Sequence, residues 1–157
     1  MKQDNQDLPA LDRKLLRLLQ KDASLSHAAL AEQVGASSAS VWRCIRALEQ
    51  AGVLGATVRL VDPALVGRGV SVMLQVRMRA HAPEQRLEFE SFVQNRPEIL
   101  ECHSMSGEWD YLMRIVVADV ADYERFLMRD MLNHPNVATS ASHFSLSQVK
   151  YTTAVPV

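Results

Sequence analysis

Between Leu11 and Leu19 the apolar positions Leu11, Leu15, Leu18 and Leu19 keep the three-and-four spacing that lines one face of a helix. Ser26 stands where its oxygen can cap a short second helix with Leu30 and Val34 inward. Gly35 ends that helix, as glycine does where the chain turns through positive φ. Ser37 or Ser38 caps a third helix that reaches about Ala51 and is closed by Gly52. Its buried stripe is Val41, Ile45 and Leu48, while Ala39, Arg43, Arg46 and Gln50 point the other way. From Val70 the period changes to two, with Val70, Val72, Leu74, Val76 and Met78 on one side of a half-buried strand. Pro83 opens a helix with Phe89, Phe92 and Val93 on one face. Strands from Ile99 to Met105 and from Tyr111 to Val117 follow, joined by a turn around Gly107 to Asp110. Asp119 caps a helix with Val120, Tyr123, Leu127 and Met131 inward, Pro135 stops it, and a last strand runs from about Ser140 to Tyr151.

These elements predict an α+β chain of two domains. Residues 1–62 form a winged-type helix-turn-helix domain of three helices, with a β-rich connector from Val53 to Val61. Asp62-Pro63 with Gly67 and Gly69 marks the boundary, and residues 63–157 read β-α-β-β-α-β. That order predicts a ferredoxin-like sandwich, an antiparallel four-stranded sheet with both helices on one face. The face left bare is expected to be covered by another copy, giving a homodimer.

Composition narrows the classes. No run approaches the roughly 20 apolar residues of a membrane span, so no membrane partner is expected. The first ten residues carry Lys2, Asp4, Asn5 and Asp7 and do not read as a signal peptide. Cys44 and Cys102 fall in different domains, which suggests no disulfide framework and a reducing cytoplasm. His27, His81, His103, His134 and His143 lack zinc-ligand spacing, so neither a metal nor a cofactor is expected. No nucleophile stands beside a base and no carboxylates pair, so an enzyme is not expected either.

Charge gives little help. Residues 1–62 hold eight Lys and Arg against seven Asp and Glu, and the chain as a whole has net charge −1, whereas nucleic-acid binders usually carry a basic footprint. The argument for double-stranded DNA as a partner rests on local arrangement. In a helix-turn-helix the second helix of the pair enters the major groove. Ser37, Ser38 and Ser40 at its start can meet phosphates together with the free N–H groups of the helix terminus. Arg43 and Arg46 reach base edges or phosphates, and arginine pairs bidentately with guanine. The alternative is a plain three-helix core with serine caps and solvated arginines.

The stretch from Leu11-Asp12-Arg13 to Leu48-Glu49-Gln50-Ala51-Gly52-Val53-Leu54 resembles the N-terminal domain of the Lrp/AsnC family of leucine- and asparagine-responsive regulators. The turn Gly107-Glu108-Trp109-Asp110-Tyr111-Leu112 and the ending Val149-Lys150-Tyr151-Thr152-Thr153-Ala154-Val155-Pro156 look like that family's ligand-sensing domain. The resemblance departs at Cys44 and Ala47, where the family commonly carries basic residues. It implies a sequence-specific transcription regulator that responds to a small effector, an amino acid, through its C-terminal domain and through assembly from dimers to octamers. An effector-independent architectural DNA-binding protein is the alternative.

Holding a free amino acid requires N–H donors for its carboxylate and oxygens for its ammonium. Gly107 permits the positive φ that lets consecutive N–H groups converge on an anion. In the Gly107, Glu108, Trp109, Asp110 turn, Asp110 can accept the ammonium and Trp109 can wall the pocket, while Thr139, Ser140 and Ser142 add hydroxyls. A tight hairpin with Asp110 bonded to backbone N–H groups is the structural alternative.

Overall fold

The computed structural model describes residues 8–157. The reading that no signal peptide opens the chain therefore lies, for residues 1–7, outside the described residues. The chain divides into two compact units, one of residues up to Arg59 together with Lys150–Val157, the other Leu60–Val149. Among the described residues no helix is long and apolar enough to cross a membrane.

The first unit is built from α1 (Ala10–Leu19), α2 (His27–Val34) and α3 (Ser38–Gln50). Leu15, Leu30, Ala31 and Val41 make its core, with Leu11, Leu18, Leu19, Val34 and Ile45 packed half-buried around them. The helix starts are set locally. Ser26 Oγ accepts the Ala29 N–H at 3.2 Å, and Ser37 Oγ accepts the Ser40 N–H at 3.2 Å. Gly35, at φ 70°, turns the chain between α2 and α3, where any Cβ would be strained. The connector from Val53 to Val61 forms no strand, contrary to its β-rich sequence, because no described strand lies beside it to pair.

A second departure concerns the chain's end. The last strand stops at Phe144, short of Tyr151, and Lys150–Val157 joins the helical unit. The Gln20 carboxamide acts there as a strand partner: its Oε1 accepts the Val155 N–H at 2.6 Å while its Nε2 donates to the Val155 carbonyl at 3.1 Å.

The second unit holds β1 (Val70–Met78), α4 (Pro83–Gln94), β2 (Ile99–Ser104), β3 (Tyr111–Val117), α5 (Val120–Arg125) and β4 (Val137–Phe144). The strands form one antiparallel sheet in the order β2-β3-β1-β4, the ferredoxin-like arrangement. Val72, Leu74, Val76, Met113, Ile115 and Val117 face the helices and meet Phe89, Val93, Tyr123 and Met131 in the core. Full burial of each such side chain stabilises by about 1.5–3 kcal/mol. Asp119 caps α5 by accepting the Asp122 N–H at 2.7 Å. A π-helical segment, Phe126–Met131, continues α5 and changes its phase. Phe126 is buried in consequence, while Val120, expected inward, stays 60% exposed. Ser71, Met73, Gln75, Arg77, Leu112 and Arg114 alternate with the core residues and lie on the face the helices leave open.

Candidate functional site

Two places bear the expected chemistry, one in each unit. On α3, Ser37, Ser38, Arg43 and Arg46 are exposed and Ser40 is half-buried, all clear of the Val41 and Leu48 stripe. Ser37 is committed to the helix start, with its Oγ 2.9 Å from Ser40 Oγ as well as on the Ser40 N–H. Arg46 holds Glu49 at 3.3 Å one turn along, with both side chains about half in water, so this pair is weak and easily exchanged for another anion. Arg43 forms no ion pair with a described residue. Cys44 lies half-buried at the stripe's edge; burial first, then Asp12, pushes its thiol above the usual value. A thiol so shifted is not a ready thiolate. The arrangement leaves guanidinium groups and a helix N-terminus open to solvent on one rod, which suits a polyanion.

The turn after β2 has a different character. Gly107 adopts φ 107°. Asp110 is drawn into the sheet, its Oδ2 accepting the Met78 N–H at 2.7 Å and its own N–H donating to the Val76 carbonyl at 3.0 Å. The other carboxylate oxygen stands 3.6 Å from His81 Nδ1. Glu108 is held by Arg77, whose Nη2 lies 2.7 Å from its Oε1 and whose Nε donates to the Glu108 carbonyl at 3.1 Å. The same guanidinium lies over the Trp109 ring, 5.3 Å from its centroid. Arg77 thus fixes two of the four turn residues. Sequence reasoning missed it. Strand alternation puts it on the open face, but nothing in one sequence tells which turn it will meet.

The sheet divides the remaining expected residues. Thr139 pairs with Arg77 and lies on the open face, beside the group that holds Glu108 and Trp109. Ser140 and Ser142 pair with Val76 and Leu74 and face the helices, where Ser142 Oγ lies 2.5 Å from the Tyr123 hydroxyl. One alternation step separates residues that are adjacent in sequence. The seven expected effector residues are therefore not gathered around one point.

A cleft of about 400 Å³ opens between α4 and β2, lined among others by Glu90, Val93, Leu100, Cys102 and Tyr111. None of the expected effector residues lines it. The Tyr111 hydroxyl donates to Glu90 Oε1 at 2.8 Å, and burial pushes the Cys102 thiol up to about 11. Among the described residues no three His, Cys, Asp or Glu side chains gather as metal ligands.

Comparison with known proteins follows the same division. Residues 8–54 match the family model described as winged helix-turn-helix DNA-binding, and residues 71–155 match the Lrp/AsnC ligand binding domain. The DNA-binding transcriptional activator DecR of Escherichia coli is 39% identical over 150 residues, which cover 96% of this chain and 99% of that protein. A transcriptional regulator of Neisseria meningitidis, solved in complex with L-Met, superposes with a TM-score of 0.91 at 32% identity, over 95% of this chain and 96% of that one. An AsnC family transcriptional regulator from Agrobacterium tumefaciens gives a TM-score of 0.90 at 40% identity, over 95% and 97%.

Proposed function

Since the chain belongs to the Lrp/AsnC family of DNA-binding transcription regulators, we propose that α3 reads its operator through Arg43 and Arg46 while Ser37, Ser38 and Ser40 set its start on the phosphates. The observation that carries this reading is the solvent-exposed, serine-capped face of α3 with its two loosely committed guanidinium groups. If each arginine meets one phosphate, about 0.9 of log–log salt slope goes with each copy, so Arg43→Ala and Arg46→Ala each lower the slope for a bound homodimer by about 1.8. Fold stability then stays within about 0.5 kcal/mol, as for other surface substitutions. An unaltered affinity in both variants shows that another face reads the DNA.

The effector is an amino acid held at the Gly107–Asp110 turn, with Thr139 beside it and Trp109 as a wall. Support comes from the positive φ of Gly107 and from the second oxygen of Asp110, which among the described residues has the exposed His81 imidazole as its ion-pair partner at 3.6 Å. Ser140 and Ser142 lie on the other face and enter no contact in this reading. Copies pair through the open sheet face to form a homodimer in the cytoplasm, dimers associate up to octamers, and the paired α3 helices address a pseudo-palindromic site. Ligand affinity must differ between assemblies for the effector to act.

Thermal shift against the twenty amino acids, run beside sedimentation, tests this part. An effector at about 100 times its dissociation constant stabilises by roughly 2.7 kcal/mol and changes the assembly. Silence with all twenty turns the reading toward an effector-independent architectural protein.

A further inference from the structure

Trp42 breaks the rule that the rest of the helical unit obeys. On α1, α2 and α3 every Leu, Ile and Val is buried or half-buried, and the indole alone leaves 50% of its surface in water. It does not belong to the stripe that holds α3 to its neighbours. At about 100° per residue, Trp42 lies roughly 40° from Arg46 and roughly 60° from Ala39 around the helix. It is the fifth residue of α3, in the half of the helix that reaches furthest into a groove. Among the described residues it makes no ring–ring or cation–π contact. Its neighbour Arg46 turns to Glu49 in its stead.

Among the described residues the indole is the one large apolar side chain that α1, α2 and α3 leave exposed, and it stands on the helix proposed to enter the groove. A second copy of the chain is a poor cover, because seating it there would also desolvate the Arg46 guanidinium, whose position lies roughly 40° from Trp42 around the helix. Duplex DNA desolvates the ring while giving both arginines anionic partners. The base edges of the major groove present one apolar group, the 5-methyl of thymine, which projects from the floor into the groove where a helix side chain arrives.

We propose that Trp42 is a specificity-determining residue that packs its indole against a thymine methyl in the major groove. The helix thereby reads one T·A pair per half-site that neither arginine reports. This rests on α3 being the reading helix, and it adds a base identity that the arginine and serine contacts leave open.

Selection from a random-sequence duplex pool tests it on the intact chain. Wild type enriches a motif with a fixed thymine in each half-site. Trp42→Ala enriches the same motif without that thymine, and Trp42→Phe, which keeps an apolar ring, retains it. Replacing the thymine by uracil, which lacks only the methyl, weakens wild-type binding about fourfold, the worth of one buried methyl group, and leaves Trp42→Ala unchanged. Identical motifs from wild type and Trp42→Ala overturn the proposal while leaving α3 as the reader. A changed sedimentation mass of Trp42→Ala with an unchanged motif assigns the indole to a contact between copies and overturns it too. If Arg43→Ala and Arg46→Ala also select the wild-type motif with wild-type affinity, the DNA-reading role of α3 falls as well.

Discussion

The two units carry their candidate chemistry in opposite ways. On α3 the polar groups are held by their own helix: Ser37 on Ser40, Arg46 on Glu49, each within three residues. At the Gly107 turn the side-chain bonds reach across the sheet, beside one local backbone bond from the Met105 N–H to the Asp110 carbonyl at 2.8 Å. Arg77 is 31 residues from Glu108, and Met78 is 32 residues from Asp110. A surface made by local capping can change its contacts without disturbing the fold. A turn made by cross-strand bonds cannot, because the groups proposed to bind the effector are also those that hold the turn. On the proposed reading, the helical unit separates stability from recognition, and the sheet unit couples them.

The widest test of this contrast lies in the sheet unit's core. Phe89 is fully buried and packs on Tyr111, with ring centroids 4.9 Å apart, so a loss there reaches the first residue after the turn. Phe89→Ala should cost about 3–5 kcal/mol, read as a fall in the urea midpoint, and effector binding should fall with it. A smaller loss with ligand binding intact shows the turn to be independent of the core.

Next comes Asp110→Ala. It leaves the Met78 N–H without its acceptor and should cost about 1–3 kcal/mol, where an exposed carboxylate would cost almost nothing. A neutral result by denaturation breaks the claim that the turn's polar groups are structural. Ser37→Ala supplies the counterpart in the helical unit. Losing the acceptor for the Ser40 N–H should cost about 1 kcal/mol, and the motif selected by α3 should stay the same. A changed motif means that the cap takes part in base reading.

The finest test is one of pH. His134 is buried beside Phe89 and Phe92, and its Nδ1 accepts the Asn136 N–H at 3.2 Å. Burial lowers its pKa from the ordinary 6.5, against a smaller opposing pull from Glu88. The unfolded chain therefore takes up the proton more readily than the folded one. The stability contributed is complete above about pH 6.5 and declines as pH falls through that value toward the folded pKa. Melting of wild type should drop between pH 7.5 and 5.5 more steeply than melting of His134→Gln, and parallel curves would exclude His134 as the source.

Much of this molecule could be read along the chain because its signals are short-range. A serine three residues before the N–H it caps, a leucine stripe at helical spacing and a valine alternation of period two are each complete within one element. They place α1 to α3, the order of the sheet unit and the exposed side of Arg43 and Arg46. The connector after Gly52 and the stretch after Phe144 misled for one reason. Extended sequences look like strands, but a strand exists only beside a partner: the connector has none among the described strands, and the stretch after Phe144 keeps one only at Ser145, whose N–H donates to the Ser71 carbonyl at 2.9 Å.

What the amino-acid order determined by itself is the set of helices and strands, their caps, and the side of α3 that turns to water, since these depend on neighbours a few bonds away. Only the folded chain decided that Arg77 holds Glu108 and covers Trp109, that Thr139 parts from Ser140 and Ser142, that Gln20 takes Val155 as a partner, and that Trp42 stays bare. Each of those depends on which distant segments meet and in what register. Register is chosen by the burial of the whole sheet and helix bundle together, and no local pattern encodes that choice.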